Sequence, residues 1–304
     1  MNTRKRSYKI FRMTALGILT IVVFSVTIIT SYQYLRVTLA APYTPASMPL
    51  NLEIVGSGDK DLVFIHGLTG SKNYWKRDLD AISGTHKLLL VDLLGFGDSP
   101  KPNSDYSLEM QVGALEAIIS KEGFDGGRTV LVAHSMGTVI ALALLEKHPD
   151  WFKGAIAIGT PVYKDMKEFN DIMSEHSLFD RLTANKYSKY LCLLHPIFMT
   201  RIFKPDNLSD DVFADANKHT WQSYYNSLNE IILDTDLYAI ARNIGNKKVV
   251  FIHGDQDTTA PLVNAVKLAN TVSNAEFLTV NGGDHQLFLK DPNIVWKAVT
   301  DFFG

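Results

Sequence analysis

From Asn51 onward, short and nearly continuous apolar runs alternate with helical apolar spacings. LVFI at 62–65, LLLV at 88–91, TVLVA at 129–133 and VVFI at 249–252 carry no polar alternation beyond a single Thr. Strands of that kind are buried on both faces, as in parallel sheets covered by helices. The pattern predicts strands at Leu62–Ile65, Lys87–Val91, Thr129–Ala133, Ala155–Ile158, Lys248–Ile252 and Glu276–Val280, with Leu52–Val55 as an antiparallel edge. Helices are expected at Lys72–Ile82, Leu108–Lys121, Met136–Lys147, Leu262–Thr271 and Asn293–Phe303, the last started by Asp291 and Pro292. The fold class is therefore α/β, a mostly parallel sheet with helices on both faces. Tyr163 to about Tyr238 has no good strand run but many helical spacings. It is too long for a loop in a compact domain and reads as a helical insertion over the sheet.

The amino terminus obeys a different pattern. Arg4, Lys5, Arg6, Lys9, Arg12 and Arg36 lie in a stretch of 36 residues with no Asp or Glu, and nothing between Arg12 and Arg36 is charged. As a helix, the run 13–35 would reach about 34 Å, enough for a bilayer core. Tyr32 and Tyr34 suit the far interface, and the basic residues 1–12 suit a cytoplasmic tail. A single-pass anchor is expected, with the body on the non-cytoplasmic side, periplasmic or extracellular. The alternative is a cleaved secretory signal ending at Thr38-Leu39-Ala40, although the apolar run is longer than a usual signal core. Residues 36–50, with Pro42, Pro45 and Pro49, read as an extended linker.

Beyond that terminus, 24 basic residues face 32 acidic ones, against a net charge of −2 for the whole chain of 304 residues. A body of net −8 is a poor match for phosphate backbones, so no nucleic-acid partner is expected. Cys192 is the single cysteine and cannot form an internal bridge. Its hydrophobic fraction of 46% is that of a globular chain, and disorder is excluded.

Chemistry is concentrated at strand ends. Ala133-His134-Ser135-Met136-Gly137 follows the run TVLVA and opens an apolar helix, which places Ser135 on a tight strand-to-helix turn with small flanking residues. A serine hydroxyl needs an imidazole to take its proton and a carboxylate to orient that imidazole. Gly254-Asp255-Gln256-Asp257-Thr258-Thr259-Ala260-Pro261 and Gly282-Gly283-Asp284-His285-Gln286 supply both, each just past a predicted strand. Active sites of open α/β sheets assemble at that edge. Oxyanion donors are expected from the N–H of Met136 and, in His66-Gly67-Leu68-Thr69-Gly70, from the N–H of Leu68.

Each residue has a competing assignment. Ser135 could merely cap a helix. Asp255 lies in the same loop as Asp257 and suits turn chemistry, and Asp165 is a third carboxylate. His66 and His253 suit structural hydrogen bonds near the site, and the side chain of His134 should point away from the hydroxyl. His86, His148, His176, His195 and His219 suit surface or cap positions. Asp92, Gly95, Gly97 and Ser99 suit backbone turns. Leu191–Leu194, Ile197, Phe198, Met199, Ile202 and Phe203 suit a core within the insertion, and Trp221, Tyr224 and Tyr225 could face substrate. No histidine pair has zinc spacing, so no metal is expected.

HGLTG at 66–70, DLLGFGDS at 92–99, AHSMG at 133–137, GDQDTTAP at 254–261 and GGDH at 282–285 together resemble the α/β-hydrolase family with a helical cap. Ala133 stands where the family pattern usually has Gly. The resemblance covers Asn51 to Gly304 and implies Ser135 as nucleophile, His285 as base and Asp257 as orienting acid, spacing to Pro261 favouring Asp257. It implies a core at 51–162 and 239–304, a cap at 163–238, a substrate pocket between them, and no organic cofactor. The expected function is serine hydrolysis of carboxylic esters, esterase- or monoacylglycerol lipase-like, on a small-molecule or lipid-derived ester. Carbon–carbon bond hydrolysis of ring-cleavage products and a non-catalytic binding protein are the alternatives. An aspartate nucleophile, as in epoxide hydrolases and haloalkane dehalogenases, is disfavoured by Ser135.

Overall fold

A computed structural model describes residues 2–176, 192–194, 204 and 208–304. Seven strands form one sheet: β1 Leu52–Val55, β2 Lys60–Ile65, β3 His86–Val91, β4 Thr129–His134, β5 Phe152–Ile158, β6 Lys248–Gly254 and β7 Ala275–Val280. Their spatial order is β1-β3-β2-β4-β5-β6-β7. Only β1 is antiparallel, pairing Leu52 with Val91 and Val55 with Leu88.

The uninterrupted apolar runs follow from double-sided burial. Val63, Ile65, Leu89, Val91, Leu131, Ala133, Ala155, Ala157, Val249 and Phe251 face one core. Their even-numbered neighbours Leu62, Phe64, Leu88, Leu90, Val130, Val132, Ile156, Ile158, Val250 and Ile252 face a second. Helices α3 Leu108–Lys121 and α4 Met136–Lys147 cover the first face; Val295, Trp296 and Val299 of α11 Asn293–Phe303 cover the second. At roughly 25 cal/mol per Å² of apolar area, this two-sided burial dominates the stability.

One expected helix divides. Residues 72–82 form a 3₁₀ turn, Lys72–Trp75, and a short helix α2, Asp80–Ser83, with Asp78 at φ 56° between them. Trp75, Leu79 and Ile82 all reach the second core, so their helical spacing reflects a shared face rather than a continuous helix. The 3₁₀ turn is capped by Ser71, whose Oγ accepts from Asn73 N.

Among the described residues, one helix is long and apolar enough to cross a membrane. Helix α1 spans Asn2–Thr38, and within its segment Phe11–Thr38 an 18-residue stretch reaches a mean hydropathy of 2.3. Residues 36–50 are not simply extended: Met48 N closes a turn on Thr44 O, and Pro42 bridges to Asn103.

Between positions 163 and 238 lie α5 Met166–His176, α6 Asp210–Ala216, α7 Trp221–Ser227 and a π-helical turn Leu228–Leu233. Helix α8, Leu237–Asn243, runs on past Tyr238 to pack against α4. Cys192 is buried; Leu191, His195, Ile197, Phe198, Met199, Ile202 and Phe203 lie outside the described residues. Helices α9 Leu262–Ala269 and α10 Leu287–Lys290 complete the body.

Candidate active site

The strand order reverses direction between β2 and β4, which leave the sheet side by side. Crevices in open α/β sheets form at such a point, outside the carboxyl ends of the strands. HGLTG follows β2 there and Ser135 follows β4.

Ser135 sits at φ 51°, ψ −125°, between the last residue of β4 and the first turn of α4. Its N–H donates to Ile158 O at 2.9 Å, which pins the turn to β5. A non-glycine residue at positive φ is strained, by about 1–3 kcal/mol, and persists only where its surroundings over-determine it. Glycines make the turn possible. A Cβ on Gly137 would lie 2.5 Å from Ile65 O, and one on Gly67 would lie 2.9 Å from the Ser135 Cβ.

Three expected residues converge. His285 Nε2 lies 2.9 Å from Ser135 Oγ, and His285 Nδ1 lies 2.8 Å from Asp257 Oδ2. The Asp257 side chain is wholly buried. Its Oδ1 accepts from the N–H groups of Thr259 and Ala260 at 2.9 and 2.8 Å. Burial alone pushes this carboxyl up, but the bond to His285, the Ala260 N–H and the nearby His253 outweigh it and hold Asp257 below its ordinary value. An ionised Asp257 keeps the proton of neutral His285 on Nδ1 and leaves Nε2 as the acceptor facing the serine hydroxyl.

The competing carboxylates go elsewhere. Asp255 is exposed, and its Oδ1 accepts from Gly282 N at 2.7 Å, joining the two loops that carry Asp257 and His285. Asp165 accepts from Glu168 N at the start of α5.

His66 and His253 are structural. Leu93 N donates to His66 Nε2 at 2.9 Å, so the ring proton sits on Nδ1 and is donated to Gly67 O at 2.7 Å. His66 thereby ties the HGLTG loop to the exit of β3. Gly70 N closes the same loop on Gly67 O, with Thr69 at φ 61°. Leu68 thus stands on a restrained turn, and Met136 is the first residue of α4. His253 Nε2 donates to Ala260 O, steadying the Asp257 loop. Asp92 is buried and accepts from Lys72 N, Asn51 Nδ2 and Asp98 N, which organises the turn after β3.

Residue-by-residue reading missed two contacts. The side chain of His134 reaches the His285 loop: its Nε2 donates to the main-chain O of His285 at 2.8 Å. Burial, then the neighbouring His285, push His134 down to about 3, so it stays neutral. Tyr163 donates to Thr259 O at 2.8 Å, beside the Asp257 loop. Neither contact has a motif, because both join residues more than ninety positions apart.

Above the site, Phe169 and Leu228 are buried against Leu68, Tyr163, Met173, Tyr224, Ile232 and Leu233. This apolar cluster links α5, α7 and the π-helical turn to the HGLTG loop. A cleft of about 460 Å³ beside it is bordered by Tyr163, Ile232, Leu233, Asn264 and Lys267.

Known proteins resemble this chain in sequence and in fold. The chain is 26% identical over 281 residues to "Probable lysophospholipase BODYGUARD 1" of Arabidopsis thaliana, covering 79% of this chain and 60% of that one. It is 23% identical over 270 residues to 2-(acetamidomethylene)succinate hydrolase of Mesorhizobium japonicum, covering 83% and 91%. The chain thus spans about 60% of the length of the plant relatives that it matches. A bromoperoxidase structure from Bacillus anthracis superposes with a TM-score of 0.67 at 20% identity, covering 87% of this chain and 99% of that one. The α/β hydrolase fold family profile matches residues 61–292, from the second strand to the start of α11. With that match spanning most of the sheet and the loops that carry Ser135, Asp257 and His285, the chain belongs to the α/β-hydrolase fold family.

Proposed function

We propose that the protein is a serine hydrolase of carboxylic esters, with lipid-derived monoesters as the substrate class. The continuous hydrogen-bonded chain from Asp257 through His285 to Ser135 carries this reading. Ser135 Oγ attacks the acyl carbon as its proton passes to His285 Nε2. The carbonyl oxygen becomes an oxyanion held by the N–H groups of Leu68 and Met136. Collapse expels the alcohol, which takes the proton back from His285 and leaves an acyl-Ser135. Water, deprotonated by the same imidazole, then releases the acid and regenerates the serine. Asp257 orients the imidazole and stabilises its transient positive charge.

The lipid part is supported by the apolar cluster over the HGLTG loop, by the apolar α1, and by relatives named lysophospholipases. Helix α1 is read as an uncleaved single-pass anchor with residues 1–12 cytoplasmic and the body on the opposite side. Positions 163–238 form the cap in this reading, and 51–162 with 239–304 the hydrolase core. A second reading, hydrolysis of a polar acid by the same three residues, is favoured by the likeness to the succinate-derivative hydrolase.

Hydrolysis of p-nitrophenyl esters of increasing acyl length, by the wild type and Ser135→Ala, tests the proposal. Activity that rises with chain length and disappears in Ser135→Ala is expected. Folded wild-type protein that labels with fluorophosphonate yet cleaves no ester would favour the polar-acid substrate, and protein that does neither would remove the mechanism.

A further inference from the structure

The joint between α1 and the body is built rather than slack. Gln33 and Val37, on one stripe of α1, are buried, Val37 to 1% exposure. Tyr34 stacks on Trp221 of α7, with ring centroids 6.2 Å apart and planes 9° apart. Just beyond the helix, Asn103 N donates to Ala41 O at 3.1 Å. Asn103 Oδ1 accepts from Gln222 Nε2 of α7 at 2.9 Å, and Asn226 Nδ2 of α7 donates to Ser104 O at 3.3 Å. Ala41, the loop 103–104 and α7 are therefore joined by hydrogen bonds. A tether meant only to localise the body needs none of this, since flexible linkers hold effective concentration without contact.

Most of the other described side chains of α1 face outward. Ile18, Leu19, Ile21, Val22, Phe24 and Ile28 are all more than half exposed. In water such a helix would be a large apolar liability, and lipid is the solvent that satisfies it on every side. Tyr32 and Tyr34 lie near the end of the span, where aromatic rings favour the membrane interface.

Helix α7 carries the connection onward. Trp221 meets α1, while Tyr224, and Leu228 just past the end of α7, join the apolar cluster against Leu68. Seven residues of helix separate Trp221 from Leu228, about 10 Å at roughly 1.5 Å per residue. We infer that the seat of α1 on α7 fixes this apolar cluster against the bilayer surface, so that an acyl chain passes from the leaflet to the site without crossing water. The inference rests on the anchored ester-hydrolase reading above and adds the orientation of the body and the route of the substrate.

The test uses the full chain reconstituted into phosphatidylcholine vesicles whose acyl chains carry bromine near the head group, a short-range quencher of tryptophan. Trp221 should supply the quenched emission: quenching is expected to vanish in Trp221→Phe and to persist in Trp151→Phe, whose indole lies at the start of β5, at the other end of the sheet. Quenching equal in the wild type and Trp221→Phe would overturn the seated geometry. A second variant, Tyr34→Ala with Val37→Ala, loosens the seat. It should lower the rate on vesicle-borne lysophosphatidylcholine relative to that on water-soluble p-nitrophenyl butyrate by about tenfold or more, with butyrate turnover unchanged. An unchanged ratio in a variant that has lost quenching would overturn the route. Wild-type protein with Trp221-dependent quenching but no activity on either ester would support the seat and overturn the ester-hydrolase reading instead.

Discussion

The imidazole of His134 donates from Nε2 to the main-chain oxygen of His285 at 2.8 Å, with the two rings 4.8 Å apart. The residue before the proposed nucleophile thereby holds the loop that carries the proposed base. Two segments 150 positions apart are fixed to each other both by the Ser135–His285 bond and by this second bond beneath it. The contact demands a neutral His134, because Nδ1 is buried with no hydrogen-bond partner and a proton there would have none either.

This neutrality predicts acid sensitivity of the fold. His134 is pushed from 6.5 down to about 3 by burial and by His285, and His66 and His253 are lowered in the same direction, chiefly by burial. Below about pH 6.5 the unfolded chain binds protons that the folded chain refuses, so stability is full above that value and falls as pH decreases toward the folded values. His134 alone should withdraw about 2 kcal/mol between about pH 7.5 and about pH 5. His134→Gln keeps a donor for His285 O without titrating. Melting temperatures across that range should fall less steeply in the variant than in the wild type; parallel slopes would show that His134 is not a source of the acid loss.

The two aspartates of the 254–261 loop should separate cleanly. Asp257→Asn removes the charge that orients His285 and should lower kcat roughly 10⁴-fold. Asp255 only braces Gly282 N from an exposed position. Asp255→Asn should cost about 1 kcal/mol or less of stability and leave kcat within a few-fold. Steady-state kinetics on one soluble ester decides the matter, and a larger loss from Asp255→Asn would reverse the assignment.

The sheet was legible in the sequence because strands buried on both faces cannot alternate, and LVFI, LLLV and VVFI have no other good use. The sharing of Trp75, Leu79 and Ile82 by one core shows where that logic stops. Periodicity reports a common face and not the backbone path, so the left-handed Asp78 between two short turns left no mark. Ser135 could be picked out because a strand end followed by small residues signals a tight turn, whereas Asp257 and His285 are reached through their places just past strands and the likeness of their loops to the family's. The bond from His134 to His285 and the seat of Val37 on the body could not, since each depends on which distant loops the topology brings together. Pro42, Pro45 and Pro49 suggested extended chain, yet Met48 N closes a turn on Thr44 O and Asn103 donates its N–H to Ala41 O.

Two glycines should respond oppositely to alanine. In α4, a Cβ on Gly137 would approach Ile65 O at 2.5 Å and His66 O at 2.6 Å, both main-chain atoms at the end of β2. The roughly 1 kcal/mol gained in helix propensity is smaller than the strain of forcing α4 from that strand, about 1–3 kcal/mol. Gly137→Ala should lower Tm and displace the HGLTG loop, lowering kcat as well. In α3, Gly113 has nothing within 4 Å of a built Cβ. Gly113→Ala should therefore raise stability by about 0.5–1 kcal/mol with unchanged kinetics. Equal melting shifts in the two variants would show that the close approach at Gly137 is not limiting.

Asp215 ties α6 to the loop after β2. Its Oδ2 accepts from Ser71 Oγ at 2.7 Å and Asn73 Nδ2 at 2.6 Å, and Lys218 Nζ lies 2.7 Å from its Oδ1. Burial raises this carboxyl, but Lys218, Ser71 and Asn73 outweigh that and hold it below its ordinary value. Asp215→Ala would leave buried Ser71 without its acceptor and Lys218 with Asp98 alone of its two carboxylate partners, a loss of about 2–3 kcal/mol. Ser71 directly follows Gly70, so the same change frees the HGLTG loop from the helical layer above it. KM for long-chain esters should rise several-fold while that for a short ester changes little, because only the long chain needs the apolar cluster against Leu68. Asp215→Asn, which keeps an acceptor for Ser71, should recover most of the stability. An equal rise in KM for both esters would mean that α6 supports the site as a whole rather than the acyl-chain contacts.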